Sequence, residues 1–156
     1  MTRAPHHDWR YIGLVALGGA CGSVARYLVG VWAAALLTIP WYPSAGETPQ
    51  AFPIGTLVVN IAGALALGYL LEALARRGRE TARRRKIRIG VGTGVLGGFT
   101  TYSALALETQ RMLTDGGAWL ALLYVALTLA GGTTACLGGI GIAARADRRR
   151  REGRRR

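Results

Sequence analysis

The sequence predicts an all-α membrane protein of four transmembrane helices, with a third run that leaves open whether its helix is broken or continuous. Three observations lead there. Hydrophobic residues make up 51% of the 156-residue chain, and the mean hydropathy is positive although Lys and Arg number 20. Those charges sit in short blocks between long apolar runs, whereas a soluble domain spreads them over its surface. Each of four apolar runs approaches or exceeds the roughly 20 residues a helix needs to cross about 30 Å of hydrocarbon. In lipid the backbone must satisfy its own hydrogen bonds, so each run is read as a helix.

The length suits one domain: a tail at 1–10, a four-helix transmembrane unit at 11–144 and a basic tail at 145–156. The first run, Tyr11 to Leu37, is too long for a signal-peptide core and continues straight into the fold. Residues 38–52 hold Pro40, Pro43 and Pro49 and read as a loop, with Trp41 and Tyr42 as interfacial anchors. The second run spans Pro53 to Ala73 and is followed by a basic loop at 75–88. The third spans Ile89 to Leu107, with a small polar loop at 108–117. The fourth spans Ala118 to Ala144. Beyond it the chain is almost pure Arg and is expected to be disordered. No internal repeat is visible.

Charge sets the orientation. Two basic residues lie in the amino-terminal tail, eight in the second loop and eight after Ala144, against Arg111 alone on the other side. Positive charge stays inside, so both termini are expected in the cytoplasm, with the chain a multi-pass protein of the cell's inner or plasma membrane. The net charge of +12 points by itself to nucleic acid or to anionic lipid. No nucleic-acid motif accompanies it and the basic blocks flank apolar runs, so membrane lipid is the expected partner. Cys21 and Cys136 lie among small apolar residues and read as small hydrophobes. No Cys/His spacing suggests a metal site, and His6 and His7 stand in a short polar tail as a solvated pair.

The chemistry is carried by polar residues placed inside apolar runs. Glycine is abundant, at 23 residues, and most of it reads as close helix packing: Gly18, Gly19 and Gly22 in the first run, Gly63 and Gly68 in the second, Gly131, Gly132, Gly138 and Gly139 in the fourth. Arg26 lies well inside the first run, where a charge is costly and by default functional. With no acidic residue in the neighbouring apolar cores, an anion-facing vestibule competes with snorkelling or a structural pair. Asn60 is the sole amide of the second run. It can bond across to another helix or donate its NH₂ to an anion. The third run reads GVGTGVLGGFTTYSALALET. Gly97-Gly98-Phe99-Thr100-Thr101-Tyr102-Ser103 puts paired glycines, three hydroxyls and a phenol at mid-membrane, a poor recipe for an uninterrupted helix. The alternative is a continuous helix packed through its small residues. A break frees carbonyls, which suit a hard monovalent cation. Hydroxyl, amide and ring-edge donors suit a small, strongly hydrated anion such as fluoride.

Gly18-Gly19 with Gly22 and Arg26-Tyr27, then Gly55-Thr56-Leu57-x-x-Asn60-x-x-Gly63, then Gly97-Gly98-x-Thr100-Thr101-Tyr102-Ser103 resemble, in order, the helix signatures of the Fluc (CrcB) fluoride-channel family. The resemblance covers nearly all of the chain except its basic tails. It implies fluoride export, no enzymatic activity, an antiparallel dimer with narrow fluoride pores, and one central structural Na⁺. Carried over, the backbone carbonyls of Gly97 and Thr100 hold Na⁺, Asn60 contacts fluoride, and Arg26 sits near a vestibule. Tyr102, Ser103 and Thr128 line the path, with Tyr124 one turn before Thr128 as a further donor. Where the family places two phenylalanines three apart, this chain has Tyr102 and Leu105, and Leu105 offers no aromatic edge.

That departure and the charge asymmetry together predict a heterodimer with an antiparallel paralogue, because an antiparallel homodimer needs one sequence to insert both ways. Two other readings compete. A small four-helix drug or cation transporter needs a membrane-embedded acid, and the first run has none. A non-conducting assembly subunit accounts for the Arg-rich tails but not for the polar centre.

Overall fold

The computed structural model describes residues 9–36, 40–41 and 50–153. Helix α1 spans Trp9–Leu36. Strand β1 (Pro40–Trp41) pairs antiparallel with β2 (Gln50–Ala51), so the predicted loop closes on itself just before α2, Ile54–Ala75. Tyr42 and the Trp41 side chain, the expected interfacial anchors, lie outside the described residues. Gly78, with φ of +83°, turns the chain towards a short helix α3, Ala82–Ile87, whose N-cap Thr81 accepts the Arg84 N–H at 3.3 Å. The basic loop is therefore partly helical.

From α3 the chain continues without interruption into a π-helical segment, Arg88–Leu96, and a single turn α4, Gly97–Phe99. Thr100 and Thr101 are extended (φ/ψ −78°/158° and −148°/123°). Helix α5, Tyr102–Thr114, follows, and α6, Ala118–Gly153, ends the described chain. Among the described residues three helices are long and apolar enough to cross a membrane: Trp9–Ala33, Ile54–Ala75 and Ala118–Gly153. The third apolar run is distributed over the π-helical segment, α4 and the first half of α5.

Two expectations need correction. The polar loop at 108–117 contracts to residues 115–117, because α5 runs on to Thr114 and the turn is made at Gly116, φ +78°. The basic tail is not disordered where it is described: α6 passes Ala144 and stays helical through Gly153. Arg is a good helix former, and Arg151 donates to Asp147 at 2.8 Å with the i,i+4 spacing that supports a helix surface.

Small residues decide how closely the elements approach. Along α1, Gly18 and Gly22 face the π-helical segment: a side chain at Gly18 would meet the Gly90 carbonyl at 2.5 Å, and one at Gly22 would strike the Val95 carbonyl. Helix α2 lies along α6, where Gly68 sits on the Cys136 carbonyl and Gly139 on that of Leu65. These are backbone-to-backbone contacts of the small-xxx-small kind, which replace hydrophobic driving force inside lipid. Gly131 meets only the Ile61 side chain, and Gly132 and Gly138 have ordinary contacts. A small core of Leu105, Met112, Ala121 and Tyr124 joins α5 to α6, with Phe52, Leu57 and Val125 packed against it. Much of the remaining apolar surface faces outward, including Leu17, Trp32 and Leu137.

Candidate functional site

The site grows from the two extended residues between α4 and α5. The Thr101 N–H donates to Asn60 Oδ1 at 2.8 Å, and Asn60 Nδ2 donates to the Thr101 carbonyl at 3.1 Å. One amide side chain of α2 thus satisfies both backbone groups of one residue. The pairing also fixes the amide's orientation, since a flip would set donor against donor and acceptor against acceptor. The Thr101 side chain closes the next turn: its Oγ1 accepts the Ala104 N–H at 3.2 Å and lies 3.2 Å from Ser103 Oγ. Thr101 is therefore an N-cap of the Ser/Thr type. On the other side, the Thr100 N–H and Thr100 Oγ1 both donate to the Leu96 carbonyl, at 3.0 and 2.9 Å.

With its N–H turned to Asn60, Thr101 leaves the Gly97 carbonyl four residues back without that helical partner. Space around Gly97 is open, while a side chain at Gly98 would strike the Gly19 carbonyl. The paired glycines do different jobs: Gly98 permits the close approach of α1, and Gly97 stands on a free face. Both are helical, and the extended backbone falls two residues later.

Tyr102 and Ser103 begin α5 on the exposed surface, Tyr102 at 83% exposure. Leu105, one turn on, turns inward and is buried against Tyr124. Of the two positions where aromatics were looked for, the first is exposed and the second buried within this one subunit.

A second polar group joins α2, α5 and α6. Thr56 Oγ1 donates to Glu108 Oε1 at 2.8 Å, and the fully buried Tyr124 donates its phenol to Glu108 Oε2 at 2.6 Å. The rings of Tyr124 and Phe52 meet nearly at right angles with centroids 5.5 Å apart. Tyr124 is thus not a spare donor, because its one O–H hydrogen goes to Glu108. Thr128 is buried, and its hydroxyl donates back to the Tyr124 carbonyl at 2.8 Å. Glu108 was missed in the sequence because the third run was cut at Leu107. Its spacing to Leu105 and Met112, three back and four on, places all three on one helix face.

The structure brings Asn60, Thr101 and Ser103 together. It places Thr128 with Tyr124 and Glu108, with no hydrogen bond between the two groups. Arg26 stands apart on α1, half-buried, with no hydrogen bond or ion pair to any described residue. Among the described residues no three His, Cys, Asp or Glu side chains gather as a metal cage. An ion at the extended residues would meet backbone carbonyls, hydroxyls and the second Nδ2 hydrogen of Asn60.

Comparison with known proteins bears on this arrangement. The chain matches the family described as CrcB-like protein, Camphor Resistance (CrcB), over residues 13–140. It is 41% identical over 139 residues to the fluoride-specific ion channel FluC 2 of Leifsonia xyli subsp. xyli, covering 89% of this chain and 87% of that one. It is 40% identical over 131 residues to the fluoride-specific ion channel FluC of Agrobacterium fabrum, covering 84% and 94%. The fluoride-specific ion channel FluC 1 of Cutibacterium acnes is 39% identical over 124 residues, covering 78% and 76%.

Proposed function

This chain belongs to the CrcB-like family, and from that premise we propose that it is a fluoride-specific ion channel subunit that exports fluoride and lowers its cytoplasmic concentration. It is a multi-pass membrane protein and not an enzyme. The observation that carries the reading is identity of about two residues in five, over more than four-fifths of the chain, to proteins named as fluoride-specific channels. The polar residues on the page supply the chemistry such a channel needs. Fluoride gives up water only where several donors replace it, and the exposed Ser103 hydroxyl, the Tyr102 phenol and ring edge, and the second Nδ2 hydrogen of Asn60 are donors beside one another in sequence or by hydrogen bond. Thr128 joins them only by rotating its hydroxyl away from the Tyr124 carbonyl. Arg26, with its charge unpaired by any described residue, raises the local anion concentration at the mouth of the path.

In the same reading the stretch from Ala82 to Thr114 is the third of four spans, crossing as two half-helices that meet at Thr100 and Thr101. Irregular backbone at that depth is tolerated where protein or an ion covers it. Two subunits pack antiparallel through the open face at Gly97, and the backbone carbonyls of Gly97 and Thr100 hold a structural Na⁺ there. The released Gly97 carbonyl and the space around it fit that role. Carbonyl oxygens are neutral donors of the kind that bind a hard monovalent cation, and the ion supplies a positive charge that holds the half-helices of the two subunits together. Both termini are cytoplasmic, and the partner is a paralogue. The numbered names of two relatives, FluC 2 and FluC 1, accord with more than one such protein per organism.

The two oxygens of Glu108 are already taken by hydroxyl donors, which leaves it poorly placed as the cation-binding acid of a drug transporter. Purified chain in liposomes loaded with fluoride or chloride tests the proposal with ion-selective electrodes, alone and with a co-expressed paralogue. Fluoride efflux without chloride efflux is expected in at least one arm. Absence of fluoride efflux in both arms overturns it. Replacing Na⁺ by choline is expected to lower the thermal midpoint of the dimer, and an unchanged midpoint removes the cation.

A further inference from the structure

Where α2 ends and α6 runs on beyond the apolar core, five arginines converge. Arg76, Arg77, Arg84, Arg150 and Arg151, with Asp147, line an open cavity of about 760 Å³. Each wall is built by specific contacts. Arg84 reaches back from α3 to the carbonyls of Arg77, Gly78 and Arg79, at 2.5, 3.2 and 3.0 Å, and so ties the loop to the end of α2. Arg76 is held by Glu72 at 2.6 Å, and Arg151 by Asp147 at 2.8 Å. Each carboxylate neutralises one guanidinium. Arg77 and Arg150, one from each wall, have no carboxylate partner among the described residues, and the cavity keeps a clear excess of positive charge.

The cavity does not end in water on its inner side. A narrow crevice between α2 and α6 continues from it, sharing Arg76, Arg77, Asp147 and Arg150 and adding Tyr69, Ala73, Ala143 and Ala146. Ala143 is buried there and Tyr69 is exposed along the helix face. A basic cup above an apolar crevice, at the point where two spanning helices leave the hydrocarbon, fits a ligand with a charged head and an apolar body.

We propose that this cavity is a binding site for a phosphate-bearing anion, supplied by the headgroup of an anionic lipid whose acyl chains lie along the α2–α6 crevice. Guanidinium forks match phosphate oxygens in pairs, and two guanidiniums without carboxylate partners, one on each wall of the cup, favour a headgroup with two phosphates. The site is separate from Asn60, Thr101 and Glu108 and does not depend on what the channel conducts. It gives the helical extension of α6 a role beyond orientation: without residues 147–151 the cup has one wall.

The test uses the full chain purified from vesicles of cardiolipin in phosphatidylcholine, with lipid retention read by native mass spectrometry after detergent exchange. The variant is Arg77→Ala/Arg150→Ala. The control is Arg148→Ala/Arg149→Ala, which removes the same charge from the same region without touching the cup. Wild type and control are expected to retain one cardiolipin, and the cup variant about a hundredfold less, the loss expected when two charge-assisted hydrogen bonds to phosphate are removed. Equal retention by variant and control, or equal loss, overturns the site in favour of diffuse attraction. Inorganic pyrophosphate, added during exchange, distinguishes the source: failure to displace the lipid supports the crevice, whereas displacement with no cardiolipin retained overturns a lipid ligand. A native elution volume and thermal midpoint for the variant exclude misfolding as the cause.

Discussion

Asn60 closes two hydrogen bonds on a single backbone residue, and this changes what its removal does. The sequence left open whether Asn60 bonds across to another helix or donates to an anion. The structure shows the Thr101 N–H and carbonyl both dependent on that amide, and a buried backbone group left unsatisfied costs about 1–3 kcal/mol. Asn60→Ala is therefore expected to lower both the thermal midpoint and the flux, whereas Ser103→Ala, at an exposed position, lowers flux at an unchanged midpoint. Thermal unfolding beside electrode efflux separates the two, and a wild-type midpoint in Asn60→Ala would show that the clamp carries no stability. Tyr124→Phe is a cleaner probe of the second group. It keeps the ring that packs on Phe52 and removes the hydroxyl that satisfies Glu108 Oε2. A loss of about 1 kcal/mol is expected from removing a hydrogen bond to this half-buried carboxylate, and Thr56→Val should lose a similar amount through Oε1. Unfolding curves indistinguishable from wild type for both variants would remove the network as a source of stability.

At the scale of elements, glycine chemistry and backbone opening turn out to be separable. The sequence pointed to the run from Gly97 to Ser103 as the place of a possible interruption, and within it the backbone becomes extended at Thr100-Thr101, past the paired glycines. Hydropathy could find the region but not the residue, because the opening is decided by Asn60, 41 positions away, and no local propensity encodes that. The same limit hid Glu108: a cut at the last apolar residue of a run discards a helix whose polar side faces a neighbour. The helical tail was legible in hindsight from Asp147 and Arg151 at i,i+4, but an Arg-rich composition outweighed that spacing. Gly98→Ala, which meets the Gly19 carbonyl, is expected to disrupt the packing of α4 on α1, and Gly97→Ala, with open space, to fold normally. Size-exclusion profiles of the two decide this, and equal behaviour would sink the distinction. In the loop, Arg88 and then Arg85 hold the Glu80 carboxyl below its ordinary range. A depressed carboxyl stabilises the folded loop above its unfolded pKa, and that contribution fades as pH falls through the lower folded value. Amide protection across α3, taken relative to intrinsic exchange at each pH, should fall at such acid pH in the wild type, with a flatter pH response in Glu80→Gln.

For the whole molecule, the balance of basic residues near the span ends, 18 against Arg111 alone, predicts one orientation and hence a partner subunit of the opposite one. Carboxyl-terminal reporters active only in the cytoplasm or only outside it are expected to give signal on the cytoplasmic side alone. Comparable signal from both, with no paralogue expressed, would establish dual topology and remove the need for a heterodimer. Crossing the membrane as the proposed third span, the interrupted segment from Ala82 to Thr114 has a further consequence, for biogenesis. A helix that opens at its centre cannot satisfy its own polar backbone in hydrocarbon, and the group that closes the opening belongs to α2, synthesised earlier. The segment therefore cannot partition into lipid as an autonomous unit. It enters against α1 and α2 already in place, and the order in which the ribosome delivers the helices becomes a condition of the fold.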